Sequence, residues 1–213
     1  TATASTEVLA LIVLLPLLGA MVNGLIGARL PKSIVTLVAT GSVLGAFLLS
    51  VGAVSELMDL RARSGDGGAM LITNLWSWIE SGPLTVAAAF MLDPLSAVML
   101  LIVTGVGFLI HVFSVGYMHD EPPEAYGRYF AYHALFLFSM NLLVLAPDLL
   151  QLFAGWELVG VTSYLLIGFY FKKPSAARAA LKAFWITKLA DMGFVVALAV
   201  LFAKTGGFAW TPS

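Results

Sequence analysis

One stretch of the chain limits what it can fold into more than any other. Residues 148–170, DLLQLFAGWELVGVTSYLLIGFY, are almost entirely apolar and hold one carboxylate, Glu157, in their middle. About 20 mostly apolar residues are enough for a helix to cross a lipid bilayer. A charged side chain at the centre of such a helix costs at least about 2.5 kcal/mol. We therefore expect Glu157 to be the functional residue of this segment.

The composition supports a membrane protein and excludes several other classes. Hydrophobic residues make up 60% of the chain and charged residues 11%, with a mean hydropathy of +0.97, whereas soluble domains are about 25% charged. The net charge of −1 leaves no basic surface for nucleic acid. Because the chain has no cysteine, it cannot form disulfides, thiolate zinc sites or ordinary iron–sulfur ligation. We expect the lipid bilayer as partner and no cofactor in this chain.

Hydrophobic segments predict an all-α membrane protein with about six transmembrane helices. The segments lie at about residues 8–27, 34–56, 94–117, 129–145, 149–171 and 178–202. Asp93 suits the N-cap of the third helix, with Pro94 at its first helical position.

These segments divide the chain into four regions. Residues 1–56 form a first transmembrane hairpin, and residues 93–204 hold helices three to six. Between them, residues 57–92 are first polar and glycine-rich and then alternate aromatic and polar side chains, which predicts an outer-face loop followed by a short hairpin. Residues 205–213 are a tail that we expect to be truncated.

Lysine and arginine are distributed unequally between the two sides of the predicted bundle. Seven of the eleven cations lie near residues 27–33, 118–128 and 172–182, three lie on the other side, and Lys188 lies within a span. Loops rich in lysine and arginine stay on the inner side of the membrane. The N-terminus is therefore predicted to lie outside.

Glu157 is expected to share its depth in the membrane with two charges of the sixth span. At 1.5 Å per residue, Glu157 lies about 21 Å from the inner end of span five, and Lys188 and Asp191 about 15 and 20 Å from that of span six. The tight turn at residues 172–177 makes the two helices antiparallel neighbours. The charges then form a proton relay, or Lys188 and Asp191 neutralise each other while Glu157 bonds a nearby hydroxyl.

Two histidines fall near the inner ends of their spans. His111 and His133 lie about 9 and 6 Å from these ends, by the same rise per residue. Histidine within a span is typical of a proton pathway, so the pair is a possible proton entry towards Glu157. The alternative is that both are hydrogen-bonded packing residues.

Several motifs together resemble one known family. Residues 155–174 read GWELVGVTSYLLIGFYFKKP and residues 179–194 read AALKAFWITKLADMGF, preceded by LDPLSAVML, FSVGYMHDE and YGRYFAYHALFLFSMNLLVLAPDLLQLF. In this order they resemble the antiporter-like subunits of respiratory complex I, most closely the type at the distal end of its membrane arm. The resemblance covers the chain from about Trp76 onward. The first 75 residues fit it in helix count and in the LPK turn.

The resemblance implies roles for the three charged residues. Glu157 corresponds to the family's fifth-helix glutamate, which is implicated in proton translocation, and Asp191 to its sixth-helix aspartate. Lys188 takes the place of an arginine that we associate with this type, and lysine, unlike arginine, can lose its proton when buried. Family members continue with a helix bearing the glutamate's partner lysine, an inverted repeat and a lateral helix, so we expect this chain to be the N-terminal portion of a longer protein.

By this resemblance the chain is a proton-translocating subunit of NADH:quinone oxidoreductase in a bacterial inner membrane. It would act with other membrane-arm subunits, while NADH, FMN, iron–sulfur clusters and quinone would bind to partner subunits. Residues 105–107, Gly-Val-Gly, lack the third glycine of a dinucleotide fingerprint, so NADH is not expected here. The alternatives are a subunit of a related cation/proton antiporter or membrane-bound hydrogenase, and a structural membrane subunit.

Overall fold

The described part of the chain folds into six α-helices and one small sheet. A computed structural model describes residues 2–64, 68–81 and 84–208. In chain order the elements are β1 (Ala2–Ser5), α1 (Val8–Leu25), α2 (Lys32–Ser64), β2 (Ala69–Ser81), β3 (Leu84–Leu92), α3 (Pro94–Tyr117), α4 (Pro123–Val144), α5 (Leu149–Ile167) and α6 (Pro174–Thr205). All the helices except α4 are long and apolar enough to cross a bilayer. The predicted helical membrane fold is confirmed.

Three helices are longer than predicted. Helix α2 continues through Ser64, because residues 57–64 contain no glycine or proline and its last turn carries Arg61 and Arg63, which complement the negative end of a helix. Helix α4 begins at Pro123 and α6 at Pro174, since proline is well suited to a first helical turn. The prediction of loops through residues 57–64 and 123–128 was wrong.

The sheet packs against α1, α2 and α3. Strands β2 and β3 form the predicted antiparallel hairpin, whose turn at residues 82–83 is outside the described residues. Strand β1 was not predicted, and it pairs in parallel with β2. At the free edge of β3, the Gln151 side chain of α5 donates to the carbonyl of Ala89 at 2.7 Å and accepts from its N–H at 3.3 Å.

The predicted start of α3 is confirmed in detail. The Asp93 carboxylate accepts a hydrogen bond from the Ser96 backbone N–H at 2.7 Å, and the Ser96 hydroxyl accepts one from the Asp93 N–H at 2.8 Å. Pro94 occupies the first turn. This reciprocal capping satisfies two backbone donors that a helix start otherwise leaves unpaired.

Helix α4 is the centre of the bundle. It packs against α1, α2, α3 and α5, whereas α6 packs mainly against α5. Apolar side chains fill two cores at opposite ends of the bundle. The core next to the sheet includes Leu9, Ile12, Leu71, Leu92 and Leu100, and the other includes Val35, Met118, Tyr126, Phe130 and Phe169. The bundle is therefore well packed around α4 and open around α6.

Candidate functional site

Helix α5 is held closely against α4. Asp148 caps its start by accepting a hydrogen bond from the Gln151 N–H at 2.8 Å. At Gly155, an added Cβ would lie 2.8 Å from backbone atoms of Leu143 in α4, so the contact requires glycine. The next two residues, Trp156 and Glu157, thereby have defined positions. The chain turns after Ile167 and returns as α6, antiparallel to α5.

The two helices bring the three predicted charges together. The Lys188 ammonium donates to a carboxylate oxygen of Glu157 and lies 2.9 Å from a carboxylate oxygen of Asp191. Glu157 thus contacts a cation. The alternative, in which Glu157 forms a hydrogen bond with a nearby hydroxyl group, is not what the structure shows. The side chains of Lys188, Glu157 and Asp191 are 21%, 32% and 9% exposed. We call these three residues the charged cluster.

The charged cluster has a hydrogen-bond partner, Trp156, that sequence reasoning missed. The Trp156 indole N–H donates to the second carboxylate oxygen of Asp191 at 2.8 Å. Asp191 therefore has a donor on each oxygen, and its position is defined by both helices. Trp156 precedes Glu157 in the sequence, but an aromatic residue next to a carboxylate gives no signal that its N–H reaches a different helix.

The balance of charge in the cluster suits proton binding. Two carboxylates face one ammonium, so the cluster has one negative charge in excess when all three groups are ionised. An uncompensated charge is expensive in a low-dielectric medium. One proton on a carboxylate would neutralise the cluster, and Lys188 lies where it contacts both carboxylates.

The two predicted histidines are also brought together. The imidazole rings of His111 in α3 and His133 in α4 stack with centroids 4.4 Å apart. This contact forms although α4 begins earlier than predicted, which places His133 about 15 Å from the helix start rather than 6 Å. His111 is fully buried, and its Nδ1 lies 2.8 Å from the carbonyl oxygen of Gly107. A proton on this Nδ1 leaves the Nε2 of a neutral ring as an acceptor.

This histidine pair lies in a polar part of the α3–α4 contact. Tyr129 packs edge-on against His133 at 5.6 Å, and its hydroxyl is 3.0 Å from that of Ser114. In the described part of the chain, His111 Nε2 and His133 Nδ1 are buried without a hydrogen-bond partner. No hydrogen bond among the described residues joins the pair to the charged cluster. The two groups are separate sites.

Within residues 2–64, 68–81 and 84–208, no group of three or more histidine, cysteine or acidic side chains is placed to hold a metal ion. The polar chemistry on offer is that of ionisable side chains: a lysine and two carboxylates at one site, and two imidazoles at the other. Such groups inside a membrane bundle are typical of ion pathways.

Two family models match the chain. One, described as NADH-ubiquinone oxidoreductase (complex I), chain 5 N-terminus, matches residues 78–130. The other, described as NADH:quinone oxidoreductase/Mrp antiporter, TM, matches residues 146–211. The second match contains the charged cluster.

Curated relatives are similar over nearly the whole chain. The NADH-quinone oxidoreductase subunits L of Neisseria meningitidis serogroup A, Rhodobacter capsulatus and Escherichia coli K12 are 40%, 44% and 40% identical over 92%, 92% and 94% of it. The matched region is 28%, 27% and 31% of those relatives. The chain therefore spans less than a third of their length.

Two solved structures share the fold. The archaeal membrane-bound sulfane sulfur reductase superposes with a TM-score of 0.77 and 21% identity, over 96% of this chain and 39% of that one. The Mrp complex from Dietzia sp. DQ12-45-1b superposes with a TM-score of 0.72 and 23% identity, over 94% of this chain and 20% of that one. At these identities the likeness establishes the antiporter-like fold.

Proposed function

Because the chain is a homologue of NADH-quinone oxidoreductase subunit L and belongs to this antiporter-like family of membrane subunits, we propose that its charged cluster translocates protons in a complex I-like assembly. The chain is a multi-pass membrane protein. The proposal rests on one observation above all: the Lys188 ammonium lies between the carboxylates of Glu157 and Asp191.

In this proposal Glu157 is the carboxylate that takes up and releases the proton. Asp191 is less exposed and accepts a hydrogen bond from Trp156 as well as the ion pair with Lys188, so it is the better stabilised anion. Glu157 has the more exposed carboxylate of the two. When Glu157 binds a proton, Lys188 remains paired with Asp191, and the excess negative charge of the cluster is neutralised. Electron transfer in partner subunits would supply the driving force.

The histidine pair is the proposed inner entry for protons. Its two unpartnered ring nitrogens are able to accept a proton or a water hydrogen, and His111 lies six residues before the end of α3, the end proposed to face inwards. His133→Leu in the intact complex should lower the rate of proton uptake. Normal uptake in that variant would mean that the two histidines are packing residues.

The orientation and location follow from the cations and the relatives. The inner side is the one with loops 27–33, 118–128 and 172–182, which places the N-terminus outside. Because the relatives compared above include bacterial proteins, we assign the protein to a bacterial inner membrane. Partner subunits would hold NADH, FMN, iron–sulfur clusters and quinone, and this chain would contribute no redox centre.

A second function is favoured by the shared fold. The family model over residues 146–211 is described for Mrp antiporters as well, and both superposed structures come from complexes other than complex I. The charged cluster would serve equally in a cation/proton antiporter or in a subunit of a membrane-bound hydrogenase. The third possibility is a structural subunit, in which Lys188 and the two carboxylates only hold α5 to α6.

The test is NADH-driven proton uptake into inverted membrane vesicles that contain the intact complex. Glu157→Gln keeps the size of the side chain and removes its proton-binding carboxylate, so uptake should fall while assembly is unchanged. Glu124→Gln, at the exposed start of α4, is the matched control and should pump normally. Equal uptake in wild type and Glu157→Gln would favour the structural function. Absence of any NADH-linked activity in wild-type membranes would favour the antiporter or hydrogenase.

A further inference from the structure

A cleft opens at the proposed inner ends of α4, α5 and α6. Its volume is about 260 Å³, and it lies apart from both the charged cluster and the histidine pair. Its walls are mainly apolar, with two tyrosines and one arginine. The residues that matter for its chemistry are Arg128, Tyr132, Tyr164, Leu165, Phe171 and Leu181.

Arg128 is a cation that has no anionic partner among the residues that the structure describes. Its guanidinium carbon lies 5.1 and 5.2 Å from the ring centroids of Phe169 and Phe171, and its Nε is buried without a hydrogen-bond acceptor in the described part of the chain. None of the ion pairs among the described residues includes it. A buried donor left without an acceptor is costly, and the planar fork of arginine matches the oxygens of a carboxylate or phosphate.

The surroundings of Arg128 select the kind of anion. Phe171 and Leu181 are 58% and 48% exposed and continue the apolar wall outwards, where a membrane protein meets lipid chains. Lys172 and Lys173 follow Phe171 in the turn before α6, and Glu121 accepts a hydrogen bond from the Tyr170 hydroxyl at 2.7 Å. A ligand here needs a negative head next to an acyl chain. These are the two parts of an anionic phospholipid.

We propose that this cleft binds an anionic membrane phospholipid, whose phosphate pairs with Arg128 and whose acyl chain lies along Leu165 and Leu181. The lipid would join α4 to α6, which otherwise packs mainly against α5. This site is independent of proton translocation, so it stands even if the charged cluster is structural.

The experiment measures lipid retained by the intact protein, purified from its own membrane and delipidated in detergent. Phosphatidylglycerol and diacylglycerol with the same acyl chains are added separately, and bound lipid is counted by native mass spectrometry. Wild type should retain phosphatidylglycerol and not diacylglycerol. Arg128→Gln should bind phosphatidylglycerol roughly tenfold more weakly, as expected for the loss of a charge-assisted hydrogen bond.

Arg178→Gln is the matched control, because Arg178 is an exposed inner-side arginine outside the cleft. It should retain phosphatidylglycerol within about twofold of wild type, and an equal loss in both variants would overturn the assignment to Arg128. Displacement of the lipid by inorganic phosphate would mean that the cleft binds a free anion, and this result would overturn the assignment of a phospholipid. If Arg128→Gln fails to assemble, retention of phosphatidylglycerol by Leu181→Trp tests the proposal instead. It keeps the arginine and narrows the acyl wall, so unchanged retention would contradict the proposal.

Discussion

The histidine pair and the charged cluster are two polar sites built in different ways. His111 is fully buried between α3 and α4 at the centre of the bundle, and neither imidazole of the pair needs a counter-charge when neutral. Lys188 and Glu157 are 21% and 32% exposed between α5 and α6, where each ion depends on the others. Neutral polar groups are therefore enclosed by this chain's own helices, whereas the charges lie on a contact that only two helices form.

The helices that carry the two sites also differ in how much of their surface is covered by other helices. Helix α6 exposes a face of large apolar residues away from α5, including Trp185, Leu189, Met192 and Val196. Such a face needs lipid or another protein surface to cover it. In contrast, α4 has neighbouring helices on several sides. The cluster's electrostatic environment thus depends on its surroundings in an assembly, and that of the histidine pair much less.

The largest effect is expected from removing the cation of the charged cluster. Lys188→Met leaves the carboxylates of Glu157 and Asp191 without their counter-charge, and an unpaired charge is costly within a membrane bundle. Proton uptake by the intact complex should fall at least about tenfold. Lys182→Met, at an exposed position in the same helix, is the control. Unchanged uptake in Lys188→Met would contradict a role for the cluster in the pathway.

A smaller effect is expected from separating α5 from the well-packed bundle. In Gly155→Ala the new Cβ would meet backbone atoms of Leu143 at 2.8 Å, so the helices must move apart, at a cost of about 1–3 kcal/mol. Thermal unfolding of the purified protein should show the loss. Gly193→Ala in α6 meets no atom within 4 Å and should be neutral or stabilising by about 0.5–1 kcal/mol. Equal stability of the two variants would argue against the tight α4–α5 contact.

The third prediction concerns the hydrogen bond to Asp191. Trp156→Phe removes the indole N–H and keeps an aromatic ring near Phe194, which lies 6.3 Å from the Trp156 ring. Hydrogen bonds to charged groups contribute about 1.5–3 kcal/mol, and we expect a roughly threefold to tenfold fall in proton uptake. Trp185→Phe, on the exposed face of α6, should change nothing. Uptake equal to wild type in Trp156→Phe would mean that Asp191 is held by Lys188 alone.

The smallest effect is expected at the start of α5. Asp148→Ala removes the cap and should cost about 1 kcal/mol of unfolding free energy, whereas Asp148→Asn keeps an acceptor. Burial raises the pKa of Asp148 in the folded chain, so folding favours the protonated carboxyl and wild type gains stability as pH falls through that pKa. Asp148→Asn should be at least as stable as wild type at pH 7, with the difference shrinking near pH 4. An advantage that grows on acidification would contradict this sign.

Much of the fold could be predicted because its signals are local. Apolar length gave the helices, Asp93 and Pro94 gave the start of α3, and alternation around residues 76–90 gave the hairpin. The ends of α2 and α4 were predicted less well. Polar residues near a helix end are typical of loops and of exposed helical turns alike, and only packing and capping distinguish the two.

Some features of the candidate site could be predicted from local sequence, and others could not. Lys188 and Asp191 are three residues apart and share a helix face in any α-helix, and the tight turn makes Glu157 their neighbour. The sequence by itself therefore determined a membrane helical bundle with three charges at one depth. Tertiary structure decided the Trp156 hydrogen bond, the stacking of His111 on His133, the pairing of β1 with β2 and the burial of the Arg128 Nε. Each depends on the rotation and approach of elements distant in the chain, which helical periodicity does not specify.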